Sequence, residues 1–265
     1  EASRFLRGTI QETLRSDATH FSEEDNQLLK CHGTYQQDDR DKRVERKKAG
    51  FDKEWSFMVR TKLPGGDLPA EKYLVMDRLA DEIGNGTLRI TSRQGIQFHG
   101  VLKGKLKEGI ARLNQSGILT WGACGDVVRN TMGPAAPLQK PAHLAAQKLA
   151  KELSDTFLAR SRAYAEIWLG GEKLEQGGIA EDDEPIYGKH YLPRKFKIGI
   201  AIPPRNDVDA YSQDLAFVAH APNGEVVGYT LLVGGGFGMT HGMVKTYPVL
   251  AKPLFYVKPE HAVAA

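Results

Sequence analysis

The 265-residue sequence is poor in cysteine, in long apolar runs and in any excess of charge. Its two cysteines, Cys31 and Cys124, stand far apart and in no C-x-x-C spacing. They cannot build a self-contained zinc or iron–sulfur site of the usual kind, and they fit a reducing compartment. No apolar run approaches the roughly 20 residues that cross a bilayer as a helix. The opening EASRFLRGTIQETLRSD is charged throughout and has no apolar signal-peptide core. With 36 Lys and Arg against 33 Asp and Glu, the formal net charge is only +3. That is too little for a general nucleic-acid binder. The expected setting is the cytoplasm, or an organelle stroma in a eukaryote, with no membrane or nucleic-acid partner. His99 and His241 have no HxxxH or HExxH companion, so a two-histidine metal site is not indicated.

What is present suffices for a sizeable core, in one domain or two. Residues 1–50 form a polar, highly charged opening, densest in YQQDDRDKRVERKKAG. It reads as a solvated face, or as an ordered arm laid over a neighbouring surface. WSFMVRTKLPGG then alternates, with Phe57, Val59 and Thr61 on one side and Met58, Arg60 and Lys62 on the other. PAEKYLVMDRLADEIGNG has helical spacing, with Leu74, Met76, Leu79 and Ile83 apolar. Two short strands around Gly95 and a helix in LKEGIARLNQSG follow. LQKPAHLAAQKLAKELSDTFLAR predicts the longest helix, YAEIWLGG a strand, and EQGGIAEDDEPIYG an acidic loop. DLAFVAHAPNGEVVGYTLLVGGG predicts a hairpin, and the tail from Pro248 has too many prolines for a helix. The order of elements predicts an α+β fold with an antiparallel or mixed sheet.

Basic residues recur on strand faces of separate segments. Arg60 lies mid-strand, Arg89 and Arg93 share a face with Thr91, and Gln97 shares one with His99. Arg129 sits in the glycine-rich crossing LTWGACGDVVRNTMGPAAP. In YLPRKFKIGIAIPP, Lys195, Lys197, Gly199 and Ala201 point one way, and Phe196, Ile198, Ile200 and Ile202 the other. Two ammonium groups on one strand face repel unless an anion lies between them. If these cations converge, they form an anion pocket in which Arg supplies bidentate forks and Lys compact charge. LLVGGGFGMTHG lacks the GxGxxG spacing and the following helix of a dinucleotide loop. Its glycines indicate either a tight turn packed on something flat or close approach to a large cofactor. Cys124 in GACGD has no partnering histidine and reads as a buried thiol rather than a nucleophile.

Taken in order, YQQDDRDKR, LRITSRQGIQFHGVLKGKLK, GACGDVVRNTMGPAAP, SRAYAEIWL, YLPRKFKIGIAIPP and LLVGGGFGMTHG resemble the first half of the assimilatory sulfite reductase hemoproteins, in the siroheme nitrite/sulfite reductase family. The resemblance implies a ferredoxin-like half-domain followed by a siroheme-binding α/β domain, one half of a pseudo-twofold enzyme. The corresponding boundaries are a charged arm at 1–50, the half-domain at 51–122 and the siroheme-binding domain at 123–265. It implies siroheme and a 4Fe–4S cluster as cofactors, and six-electron reduction of sulfite to sulfide. Arg60, Arg129, Lys195 and Lys197 resemble the four cations around the oxyanion. Arg93, Gln97, His99 and Asn130 resemble residues that contact the macrocycle. In the family the cluster ligands are four cysteines of the second half, which this sequence does not contain. The segment alone is therefore expected to be inactive and to need that C-terminal half. The electron donor is left as an NADPH flavoprotein or a ferredoxin. The related nitrite reductases tend to carry asparagine at the position of Lys197, so that lysine favours sulfite. A non-catalytic fragment is the other alternative.

Overall fold

The computed structural model describes residues 3, 4, 6–160, 168, 169, 172, 173, 184–188, 190–239 and 242–265. In the first lobe, the strands β1 (Thr34–Asp38), β2 (Trp55–Arg60), β3 (Leu88–Ile90) and β4 (Ile96–Val101) form an antiparallel sheet in the order β1-β2-β4-β3. Alternation along β2 sends Phe57 and Val59 into a core shared with Phe98 and Val101. Helices α4 (Ala70–Ile83) and α5 (Lys103–Gln115) contribute to that core Met76, Leu79 and Ile83, and Leu106 and Leu113. Each such burial contributes roughly 1.5–3 kcal/mol. Leu74, expected in the same stripe, is exposed. It lies two residues from Met76, about 200° around the helix, and so faces the opposite way.

The described residues of the opening 50 form regular elements and not only a solvated face. They carry α1 (Ile10–Arg15), α2 (Glu23–Cys31), β1 and α3 (Arg43–Lys48). β1 pairs with β2 along its whole length, from Thr34↔Val59 to Asp38↔Trp55. An edge strand needs few apolar side chains, which is why TYQQD shows no alternation. Gln36 also ties the chain down through its amide, accepting from Phe21 N at 2.7 Å and donating to Phe21 O at 3.2 Å. Arg43 forks onto Asp38 with two 2.7 Å bonds and depresses its carboxyl pKa.

The second lobe is built on α6 (Pro141–Thr156), whose Ala142, Ala146, Leu149, Ala150 and Leu153 recur at helical spacing and are buried. Ala146, Leu149, Ala150 and Leu153 pack with Ile198, Ile200, Phe217, Tyr229 and Leu231 of a mixed sheet ordered β10-β9-β8-β7. Its strands are β7 (Ile198–Ala201), β8 (Leu215–His220), β9 (Gly228–Val233) and β10 (Lys252–Val257). The short pair β5 (Trp168–Leu169) and β6 (Glu172–Lys173) stands apart. Most of the predicted strand YAEIWLGG, most of the acidic loop and His241 lie outside the described residues.

The expected polar face of β7 stops at Lys197, because all four residues of β7 are buried. β8 pairs with it in parallel, and Val128 and Met132 form parallel bridges to Phe196 and Gly199. Gly199 lies against Gln213 and Val208, so the strand is interior on both faces. The lobes are joined where the glycine-rich crossing meets the end of β2. Asn130 Nδ2 donates to Leu63 O at 2.6 Å and Arg93 O at 2.8 Å, and Gly65 N to Thr131 O at 2.9 Å. Lys62, which alternation placed beside Arg60, is instead 5% exposed, with Nζ 3.4 Å from Ser154 O of α6.

Candidate anion-binding site

Arg60 ends β2 opposite Gln97 of β4. With the Gln97 amide turned to satisfy both neighbours, its oxygen accepts from Arg60 Nε at 2.9 Å and Nη2 at 2.5 Å, and its nitrogen donates to His99 Nε2 at 3.2 Å. Arg60 Nη1 donates to Cys124 Sγ at 3.1 Å, and the guanidinium carbon lies 5.7 Å from the Tyr35 ring centroid. All these partners are neutral. They fix the guanidinium without cancelling its charge, and the face of the Tyr35 ring favours a cation.

Arg129 comes from the crossing, where its backbone N donates to Phe196 O at 2.8 Å and its Nε to Gly125 O at 2.7 Å. It lies close enough to Tyr35, Cys124 and Arg93 to act on each electrostatically. Burial pushes the Cys124 thiol up despite Arg60 and Arg129, and the side chain is fully inaccessible. That agrees with a packed thiol rather than a nucleophile.

Arg93 follows β3 and reaches across to the second lobe. Its Nη1 donates to Gln213 Oε1 at 2.8 Å, and its Nη2 to Asn130 O at 2.6 Å and Ile198 O at 3.0 Å. Burial, reinforced by Arg129, pulls its pKa down to about 10. Arg93 and Asn130 thus clamp the two lobes together. Lys197 immediately precedes β7: its backbone N donates to Asp214 Oδ2 at 2.7 Å, and its Nζ lies 3.4 Å from Ser212 O. Burial lowers its pKa, and Arg93, Lys195 and Arg194 push the same way against Asp214. Lys195 is exposed beside it. His99 is half-buried, and its pKa is lowered by burial and then by Arg89 and Arg60.

The structure therefore places Arg60 between Gln97, which reaches His99, and the pair Tyr35 and Cys124, brings Arg129 near that pair, and sets Arg93, Asn130, Lys195 and Lys197 near the start of β7. Tyr35, Gln213 and Asp214 are part of this arrangement and carried no spacing signal in the sequence. Among the described residues, Arg60, Arg93, Arg129, Lys195 and Lys197 form no ion pair with a carboxylate. Unneutralised cations, together with the partnerless buried Arg93 Nε and Asn130 Oδ1, fit a polyanionic group such as siroheme or an oxyanion. In the glycine run, a Cβ on Gly235 would fall 2.3 Å from Tyr211 O and 2.6 Å from Gln213 O, so this backbone is held against protein. Gly234, Gly236 and Gly238 face open space. An iron–sulfur cluster does not fit: no group of three or more metal-ligating side chains occurs among the described residues, and only two cysteines exist.

Fold and site together define a two-lobed α+β protein with cations from separate segments gathered near the junction of the lobes. Residues 52–116 match the nitrite/sulfite reductase ferredoxin-like half domain, and residues 125–265 match the nitrite and sulphite reductase 4Fe-4S domain. The chain is 48% identical over 264 residues to the sulfite reductase (NADPH) hemoprotein beta-component of Anoxybacillus flavithermus, covering 99% of this chain and 46% of that protein. The protein of that name from Geobacillus kaustophilus is 47% identical over 265 residues, again 99% of this chain and 46% of the relative. A solved structure titled "Structure of Mycobacterium tuberculosis NirA protein" shares the fold, with a TM-score of 0.65 and 20% identity over 99% of this chain and 45% of that one. The chain belongs to the nitrite and sulphite reductase family. It spans just under half the length of the curated relatives it matches. Among the described residues, no helix is long and apolar enough to cross a membrane.

Proposed function

We propose that this chain is the cation-bearing half of a siroheme sulfite reductase, which reduces sulfite to sulfide with six electrons and enough protons to release three oxygens as water. The observation that carries this reading is the set of cations from separate segments, Arg60, Arg129, Lys195 and Lys197, whose side chains form no ion pair with a carboxylate among the described residues. Arg60 and Arg129, oriented by neutral acceptors, bind and orient the oxyanion. Lys195 adds charge at the exposed rim. Lys197, its pKa lowered by burial and neighbouring cations, is the proton donor to a departing oxygen. Siroheme and a 4Fe–4S cluster supply the electrons when bound. Gln97, His99, Arg93 and Asn130 are the residues that would hold siroheme, through their amide, imidazole and guanidinium groups. The cluster's ligands belong to the C-terminal half, so the segment alone is inactive. The half-domain spans 51–122 and the siroheme-binding domain 123–265, in keeping with the two family matches. The relatives' name specifies NADPH and a beta-component, which favours an NADPH flavoprotein over a ferredoxin as donor. We place the enzyme in the cytoplasm.

The test is the full-length protein, purified and assayed with sulfite and a reduced donor. Siroheme absorption and sulfide release are expected. A full-length protein that binds siroheme and reduces nitrite but releases no sulfide from sulfite would overturn the assignment.

A further inference from the structure

A cleft of about 680 Å³ opens between α2, the turn leading into Arg129, and the segment before β7. Its wall carries four cations, Lys30, Arg129, Arg194 and Lys195, against one carboxylate, Asp126. Arg129 and Lys195 belong to the oxyanion set, whereas Lys30 and Arg194 do not. Lys30 is nonetheless held in place: its Nζ donates to Gln27 Oε1 and lies 5.9 Å from the Tyr35 ring centroid. The same ring faces Arg60 at 5.7 Å. A cation of the cleft wall and a cation of the site therefore share one aromatic support. Neither Lys30 nor Arg194 forms an ion pair with a carboxylate among the described residues. A cleft lined by one sign of charge focuses the field and raises the local concentration of an oppositely charged ligand.

We infer that this cleft is the approach route of the oxyanion, and that Lys30 and Arg194 steer it inward to Arg129 and Lys195. The inference rests on the proposed function and adds to it two residues and a direction of entry. Steering by partly exposed charges is screened over about 10 Å at 0.1 M salt and over a few ångströms near 1 M. Its signature is therefore a dependence on ionic strength, which a merely structural role does not produce.

The experiment compares the full-length holoenzyme with the variants K30Q/R194Q and K30R/R194K. In K30Q/R194Q, kcat/KM for sulfite is expected to fall about tenfold at low salt while kcat holds, and the gap is expected to close as salt rises. K30R/R194K, which keeps both charges, is expected to match the wild type. Calorimetric titration of sulfite without an electron donor reads binding apart from turnover, and K30Q/R194Q is expected to weaken it in the same salt-dependent way. Wild-type kcat/KM in K30Q/R194Q, or a loss equal at all salt concentrations, would overturn the steering role. If the wild type itself neither binds nor reduces sulfite, the proposed function fails, and the inference with it.

Discussion

Replacing Lys62 by methionine tests whether the junction between the lobes holds a strained ammonium group. Lys62 is 5% exposed, its pKa falls from 10.5 to about 8 through burial, and its bond to Ser154 O is a long 3.4 Å. A lysine whose folded pKa lies below its unfolded value weakens the fold wherever it is charged. The penalty is absent above about pH 10.5 and grows as pH falls towards about 8. Below that it levels off at about 3 kcal/mol. Methionine keeps the length and removes the charge, at the loss of one hydrogen bond worth about 1 kcal/mol. The net expectation for Lys62→Met at pH 7 is a gain of about 2 kcal/mol. Urea unfolding at pH 7 and pH 10 provides the assay. Relative to the variant, the wild type is expected to recover about 2–3 kcal/mol between those two values. Cys31, whose thiol burial raises to about 11, titrates with the opposite slope but is common to both proteins and cancels. A variant less stable than wild type at pH 7, or a difference that does not change with pH, would refute the reasoning.

Two further outcomes follow from the geometry. Gly33 has φ +81°, and a Cβ there would lie 2.2 Å from Thr120 O and 2.9 Å from Arg60 O. Gly33→Ala is therefore expected to cost about 2 kcal/mol or more, read as a lower urea midpoint. Lys197→Asn in the full-length enzyme removes one charge from the oxyanion set. The ratio of kcat/KM for sulfite over nitrite is expected to fall about tenfold, the scale of one charge-assisted hydrogen bond. An unchanged ratio would count against Lys197 as the residue that selects sulfite.

Helical periodicity was legible where one stripe is buried, as in α4, α5 and α6, and the Pro-Asn-Gly turn marked the β8–β9 hairpin. Two of the four edge strands in the four-stranded sheets escaped notice. β1 hides in a charged run because its outer face is solvated, and β10 carries Pro253 and an almost wholly exposed face. Period-two alternation misread β7, since tertiary cover from residues 128–132, Val208 and Gln213 replaced the expected solvent. The cations of the site stood out because charge on an otherwise apolar strand is conspicuous. Tyr35, Gln213 and Asp214 did not, because they are distant in sequence from Arg60, Arg93 and Lys197 and only folding brings them there. Lys62 shows the converse: beside Arg60 in alternation, it turns into the junction and leaves the site.

The central claim is that cations from separate segments converge on one oxyanion. Its most direct measurement is the KM for sulfite of the full-length enzyme carrying Arg129→Gln, taken at matched siroheme absorbance. Loss of a charge-assisted contact worth about 1.5–3 kcal/mol predicts a KM raised at least about tenfold, with siroheme retained. A variant that keeps its siroheme and reduces sulfite with the wild-type KM would contradict the account.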